Sequence, residues 1–412
     1  MKILWVKANK ILPVHSGGDI RSFNILRQLA KQDEVIFLSY YDGPRDRDYE
    51  EELGRQLPGS VCVCTGKHND SVVARGLDYL FRVPRPIPYA VSRFESVRVQ
   101  KKLEQCIAET RPDIAVCDFL DAAINFPRSL GVASLLFQHN VESEIWRRHA
   151  ETSTGWLRRR IYQMEFAKML RYERGMLRKF DHVIAVSEHD RMLMSVWTEA
   201  ARISVVPTGV DLARFTPAGN AQTANPLGVF VGAMDWPPNV DAMEYFCNEI
   251  WPAVQAKVPG AQFRIVGRNP GARIQRLAST SVQVTGSVPS VIEHLKEAAV
   301  VVVPLRIGGG TRLKIYEAMA AGKAVVSTTI GAEGLDVKHG TDIWLADDAS
   351  AFASAMVRFL QDPAARRTLE LAAAATAAQH DWSAVANKFR QILQLIGTSV
   401  RTQKVGELAT AG

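Results

Sequence analysis

Residues Val300–Val326 read VVVVPLRIGGGTRLKIYEAMAAGKAVV. Four successive valines suit a strand buried on both faces, because β-branched side chains pack well there. Gly308, Gly309 and Gly310 interrupt the run, a helical stretch follows, and Ala324–Ser327 reads as the next strand. Strand, glycine loop, helix and strand make one unit of a parallel α/β sheet. Glycines let backbone amides approach an anion closely, and a helix N-terminus adds partial positive charge. Arg312 and Lys314 supply full positive charges nearby, and the two cations suit a diphosphate. Glu317 is placed to accept hydrogen bonds from sugar or ribose hydroxyls. The Walker pattern is absent, since no Gly-Lys-Ser/Thr follows at the required spacing. A glycine turn beside a solvated basic face is the bland alternative, and the length of the unit through Val326 argues against it.

The same rhythm extends in both directions. Upstream, Ile3–Val6, Glu34–Ser39, Val61–Cys64, Asp113–Cys117, Ser134–Phe137, His182–Val186 and Ile203–Val206 read as strands, with Asp19–Lys31 and Val97–Thr110 among the helices between them. Around the decisive stretch, Gly228–Val231, Gln262–Val266, Val282–Thr285 and Ile343–Leu345 continue the series. The chain has 412 residues, too many for one ordinary core. The expected architecture is α/β, with two doubly wound Rossmann-like domains facing a central cleft. Residues 1–206 form the first, 207–226 a Pro-, Gly- and Asn-rich linker, and 227–380 the second. A helix over about 383–397, with Ser383 as N-cap, is expected to pack back on the first domain. Residues 398–412 lack an apolar period and are expected to be disordered.

Composition is that of a soluble globular protein, 47% hydrophobic and 23% charged, with a net charge of +7. The positive charge is clustered. Eight Lys or Arg face three acids between Lys67 and Lys102, and eight face two between Trp156 and Lys179. Such stretches suit an anionic surface, and Leu77–Val91 and Trp156–Lys179 also interleave aromatic and aliphatic residues. The alternative is a core-facing apolar side with solvated arginines. Five cysteines without CxxC spacing read as free thiols in a reducing compartment and suggest no zinc site. The first apolar run is too short for a signal-peptide core and none reaches a membrane-spanning length. A cytoplasmic protein, peripheral on the inner membrane face, is the expectation.

Several features read as incidental. Asp46-Arg47-Asp48 spells the DxD of metal-dependent sugar transferases but lies in a charged loop without the preceding apolar strand. His15 reads as a surface histidine, and His149, His182, His189, His294 and His339 lack metal-ligand spacing. The Gly232 and Gly267 turns do not complete GxGxxG. Glu142 and Glu144 either reach an acceptor or favour a helix N-terminus, and Asp190 reads equally as a first-turn acid.

The Val300–Val326 unit resembles the donor-site motif of GT-B glycosyltransferases, specifically the retaining family 4 (group 1). The likeness covers nearly the whole chain: Gly17-Gly18 resembles the N-terminal glycine loop, Phe137-Gln138-His139-Asn140 the segment holding the family's histidine, and Val206–Asp211 the PNGVD entry to the linker. Phe230-Val231-Gly232 and Gly331–Leu335 resemble further stretches of the donor domain. The resemblance implies a nucleotide-diphosphate sugar held by the second domain and an acceptor by the first. It implies that His139 lies near the anomeric centre and that Gly18 approaches the donor phosphate. Glu317 matches the second glutamate of the EX7E motif and contacts ribose. Gly232, Gly309, Gly310, Thr311, Arg312, Lys314 and Glu333 fall with the donor. Retention by front-face attack follows, with no metal and no cofactor beyond the nucleotide-sugar substrate.

Two departures bear on that expectation. Gly309 stands where the first glutamate of EX7E belongs, and Gly232–Asn239 has none of the basic residues the family places after the first strand of its second domain. Arg312 and Lys314 are expected to take over the diphosphate. Three function classes follow: a hexosyltransferase building cell-surface or exported polysaccharide on a lipid-linked or oligosaccharide acceptor, a nucleotide-sugar epimerase, and a degenerate nucleotide-sugar-binding protein. Nothing points to nucleic acid.

Overall fold

The computed structural model describes residues 1–14, 16–66, 71–153, 155–217, 225–307 and 313–410. The chain divides into two compact units, Met1–Pro207 with Val385–Gly412, and Thr208–Ala384.

The first unit is built on seven parallel strands: β1 (Lys2–Ala8), β2 (Glu34–Tyr41), β3 (Val61–Cys64), β4 (Ile114–Asp118), β5 (Ala133–Phe137), β6 (His182–Ala185) and β7 (Ile203–Val205). Their order is β3-β2-β1-β4-β5-β6-β7. Every residue from Ile3 to Val6 is fully buried, as a parallel strand covered on both faces requires. Successive crossovers run outward in both directions from the β1–β4 pair. A ligand crevice opens at such a reversal, beyond the carboxyl ends of the strands.

The second unit repeats the plan with six parallel strands: β8 (Leu227–Val231), β9 (Gln262–Val266), β10 (Val282–Gly286), β11 (Val300–Val303), β12 (Ala324–Ser327) and β13 (Trp344–Leu345). The order is β10-β9-β8-β11-β12-β13, so the reversal lies between β8 and β11. The four valines of β11 form the middle of this core, none more than 2% exposed, against Val229, Phe230 and Phe263. The expected strands therefore appear, most within a residue or two of the expected bounds. Each unit has the doubly wound α/β form.

Two boundaries differ from expectation. Residues 208–217, expected in the linker, belong to the second unit: Val210 donates to the His380 carbonyl (2.8 Å) and Phe215 is 3% exposed inside that unit's core. Apolar residues spaced along a polar stretch had a hydrophobic surface to cover, and composition alone concealed it. The chain's last helix, Trp382–Thr410, returns to the first unit from Val385, with the Phe389 ring 5.3 Å from Trp5 and 5.0 Å from Phe137. Arg390 pairs with buried Asp33 at 2.6 Å. This is the expected return, but the helix also runs through residues 398–410, where disorder was expected. Extending an anchored helix costs less than nucleating a free one.

Candidate functional site

At the first reversal point, polar groups gather beneath the glycine loop. The helix Gly17–Leu29 starts from Ser16, whose side chain accepts from the Asp19 amide. A Cβ placed on Gly18 would lie 2.2 Å from Cζ of Phe119, so no other residue fits there unless the ring moves. Phe119 follows β4 with a φ of 71°, a left-handed conformation costly for an aromatic residue and one that a surrounding structure must hold in place. Its ring lies flat on the imidazole of His139, with centroids 3.7 Å apart and planes at 3°. Gly18, Phe119 and His139 therefore form a stack of backbone, phenyl and imidazole.

His139 is 1% exposed, and both ring nitrogens are engaged. Arg21 sits 2.9 Å from Nδ1 and Asp118 2.7 Å from Nε2. A guanidinium only donates, so Nδ1 accepts and the ring proton resides on Nε2, donated to Asp118. Burial is the main force pressing the imidazole pKa down to about 3, with the charges of Arg21 and Lys7 adding to it against the pull of Asp118. Burial alone would raise Asp118. Lys7, together with the His139 and Trp5 hydrogen bonds, overcomes it and holds the carboxyl at about 2. Lys7 is buried, 3.8 Å from Asp118, 3.3 Å from Asp19 and 4.1 Å from the Phe119 ring centre. The ring expected at the reacting centre is thus neutral, covered by Phe119 and without a nitrogen facing outward. It packs beneath Phe119, which in turn meets Gly18 at the start of the helix Gly17–Leu29.

Behind it, Glu173 is fully buried and accepts from Gln138 Nε2, the amides of Glu142 and Ser143, and the Ser143 hydroxyl. It thereby caps the helix Glu142–Thr152 from a distant helix. Burial, then the neighbouring Glu173 charge, raises Glu142 to about 7, and burial raises Glu173 to about 7. Glu144 pairs with Arg147 at 2.6 Å. Asp190 lies in the first turn of the helix Glu188–Ser195, its amide donating to Ser187.

At the second reversal point, β8 gives way to Gly232, the residue after Val231. Lys314, near the start of the helix Leu313–Ala320, brings Nζ to 2.8 Å from where a Gly232 Cβ would stand. Asn239 holds it there: Oδ1 accepts from Lys314 Nζ at 3.0 Å, while Nδ2 donates to the Ala233 carbonyl at 2.8 Å. The ammonium also lies 4.3 Å over the Phe230 ring. Gly267, the residue after β9, abuts the Gly232 carbonyl so closely that a Cβ would come within 1.7 Å of it. Arg268 follows, its carbonyl accepting from the Met234 amide and its guanidinium 3.9 Å from Asp235. Arg268 Nε is shielded from solvent without a hydrogen-bond partner. Two cations therefore flank the β8 terminus, from β9 on one side and from the helix after β11 on the other.

Glu317 is half-buried on the same helix, and burial raises its carboxyl above the usual range against the charges of Arg214 and Lys314. Glu333 is half-buried in the turn after β12. Arg306 is committed to Asp241 by two hydrogen bonds of 2.7 and 3.1 Å. Gly309, Gly310, Thr311 and Arg312 lie outside the described residues, as does His15.

The incidental readings are also placed. Asp46 caps the helix Arg47–Gln56 by accepting from Tyr49 and pairs with Lys10 at 2.6 Å, so the DxD spelling is a helix start. Among the described residues no three metal-ligating side chains gather. Sequence reasoning missed Lys7, Arg21, Asp118, Phe119, Asn239 and Arg268. Asn239 carried a signal, since an Asn after two prolines in a helix's first turn is suited to a fixed contact. The others are ordinary residues until the sheet order brings them together.

Two parallel doubly wound sheets, each with polar residues at its reversal point, define the class: this is the GT-B glycosyltransferase fold. Residues 16–214 match the family described as Glycosyltransferase Family 4, and residues 225–362 match Glycosyl transferases group 1. The chain belongs to this group 1, family 4 class and is a glycosyltransferase. It is 25% identical to the phosphatidyl-myo-inositol mannosyltransferase of Mycolicibacterium smegmatis over 87% of this chain and 90% of that one. An uncharacterized 44.6 kDa protein in the cps region of Klebsiella pneumoniae is 21% identical, again over 87% and 90%. Among solved structures, Anabaena Alr3699/HepE in complex with UDP and glucose superposes with a TM-score of 0.67 at 15% identity, covering 96% of this chain and 99% of that one.

Proposed function

We propose that the enzyme moves a hexose-type sugar, with retention, from a UDP- or GDP-sugar to a lipid-linked or oligosaccharide acceptor in the assembly of cell-surface or exported polysaccharide. The observation that carries the donor half is Lys314, fixed by Asn239 over the end of β8. There the chain lacks the basic residues of its family, and a cation from another element stands in their place. Arg268 adds a second charge, and Arg312 is assigned to the same task from its place in the sequence. A departing diphosphate gathers negative charge as the anomeric C–O bond breaks, and preorganised cations stabilise that charge without reorganisation. In front-face attack the acceptor hydroxyl oxygen bonds to the anomeric carbon while its proton passes to the leaving phosphate oxygen. No side-chain base is needed, which is compatible with a His139 that has no free nitrogen.

Glu317 is assigned to the ribose, Glu333 to donor hydroxyls, and the amides of Gly309, Gly310 and Thr311 to the phosphates. The acceptor class draws on the named mannosyltransferase relatives, and the polysaccharide role on the relative from a cps region. The site is assigned no metal, so turnover is expected to persist in EDTA.

The deciding experiment incubates radiolabelled UDP- and GDP-sugars with membrane lipid extract or oligosaccharide acceptors. Labelled glycoside together with free nucleotide diphosphate is the expected result. Interconverted donor sugars would instead mark an epimerase. Tight binding without turnover would mark a nucleotide-sugar-binding protein, the alternative that Gly309 in place of a family glutamate raises.

A further inference from the structure

The helix Val72–Arg82 is built inside out. None of its described residues is buried, yet Val73, Leu77, Leu80 and Phe81 are 71%, 52%, 66% and 82% exposed. Their spacing puts all four on one stripe of the helix, the stripe that an ordinary surface helix turns toward a core. The opposite side is the anchored one. Tyr79 packs edge-on against Tyr89 with centroids 5.1 Å apart, and Arg82 bonds Asp78 and the Ser92 carbonyl. Apolar patches of this kind on a folded surface mark an interaction site.

A second feature adjoins it. The helix Trp156–Lys179 opens with Trp156, Leu157, Arg158, Arg159, Arg160 and Ile161, all of them exposed, so its first turns present aromatic, aliphatic and cationic groups at the surface. Its acids do not offset the charge at the surface, because Glu165 and Glu173 are 1% and 0% exposed and face inward. The segment that follows Val72–Arg82 is tied to this second helix, by Lys168 Nζ donating to the Val83 carbonyl (2.6 Å) and the Tyr89 amide donating to Glu165 (2.8 Å).

We infer that the outer stripe of Val72–Arg82 inserts at the surface of an anionic bilayer, with the exposed Arg158–Arg160 turn supplying the electrostatic attraction. An exposed apolar stripe together with exposed arginines on a neighbouring helix suits interfacial binding, which combines buried apolar area with attraction to acidic headgroups. A second copy of this chain fits less well, because a two-fold contact would set the same arginine clusters against each other. This inference deepens the peripheral-membrane part of the sequence expectation and does not depend on the donor or acceptor proposed above.

The test is sedimentation of the full chain with vesicles of phosphatidylcholine alone or with phosphatidylglycerol added, at low and high salt. Wild type is expected to bind the phosphatidylglycerol vesicles and to be released by salt. Combined Leu77→Ser, Leu80→Ser and Phe81→Ser should weaken binding roughly tenfold or more. Combined Arg158→Glu, Arg159→Glu and Arg160→Glu should abolish the preference for phosphatidylglycerol. Far-ultraviolet circular dichroism and donor turnover with a soluble acceptor should match wild type in both, since none of the six side chains is buried. Wild type that ignores vesicles, or a serine variant that binds them equally, overturns the inference. A wild-type dimer in light scattering that the serine variant dissolves would assign the stripe to a second copy. Loss of the transferase reading would leave vesicle binding unchanged, so the two failures are separable.

Discussion

Arg21 donates to Nδ1 of His139 across 2.9 Å, and that single contact decides which nitrogen of the buried imidazole carries the proton. With Nε2–H given to Asp118, the ring is held neutral. Its folded pKa lies below the unfolded 6.5, so the stability it contributes is present above that value and is lost as pH falls from 6.5 toward about 3. In 15N spectra the His139 ring should show no titration between pH 8 and 5. An imidazolium signature in that range would reject the assignment.

Gly18→Ala should be poorly tolerated. The new methyl would sit 2.2 Å from Phe119 Cζ, and overpacking of this kind costs about 1–3 kcal/mol. Phe119→Ala in the same chain should restore most of the stability while leaving turnover low, because the plate over His139 is gone. Chemical denaturation of the two single variants and the double variant measures the coupling. Simple additivity would mean the two residues do not press on each other.

Lys314→Ala and Arg268→Ala are each expected to weaken UDP or GDP binding about 10–100-fold by calorimetry, the range for loss of a charge-assisted contact of roughly 1.5–3 kcal/mol. Asn239→Ala should lose less, since it removes the tether and keeps the cation. Wild-type affinity in both cation variants would move the diphosphate elsewhere.

The pair Glu142 and Glu173 gives the opposite pH sign to His139. Both carboxyls titrate at about 7 when folded, above the unfolded value near 4.5, so the folded state holds more protons between these values and stability falls as pH rises through that window. Glu142→Gln keeps the side chain's shape and removes one charge from the pair. The variant should gain on the order of 1 kcal/mol relative to wild type at pH 8, with a much smaller difference at pH 4.5. Denaturant midpoints at the two values check it, and an equal difference at both would show that charge is not the cause.

Much of this protein was legible in the order of its residues. Valine runs such as Val300–Val303, glycine breaks and helical periods depend on neighbours along the chain, so strands, helices and the two-sheet plan could be read directly. Lys314 and Glu317 also fell together, because a helix places residues three apart on one face.

Tertiary structure decided what chain distance hides. Asp118 and His139 meet because β4 and β5 are neighbours in the sheet, and Arg21 joins them only through the crossover after β1. Arg268 reaches the β8 terminus because β9 lies beside β8, and Asn239 finds Lys314 across 75 residues. The outward face of Val72–Arg82 was equally hidden: amphipathic spacing reveals that a stripe exists, whereas packing alone determines which way it points.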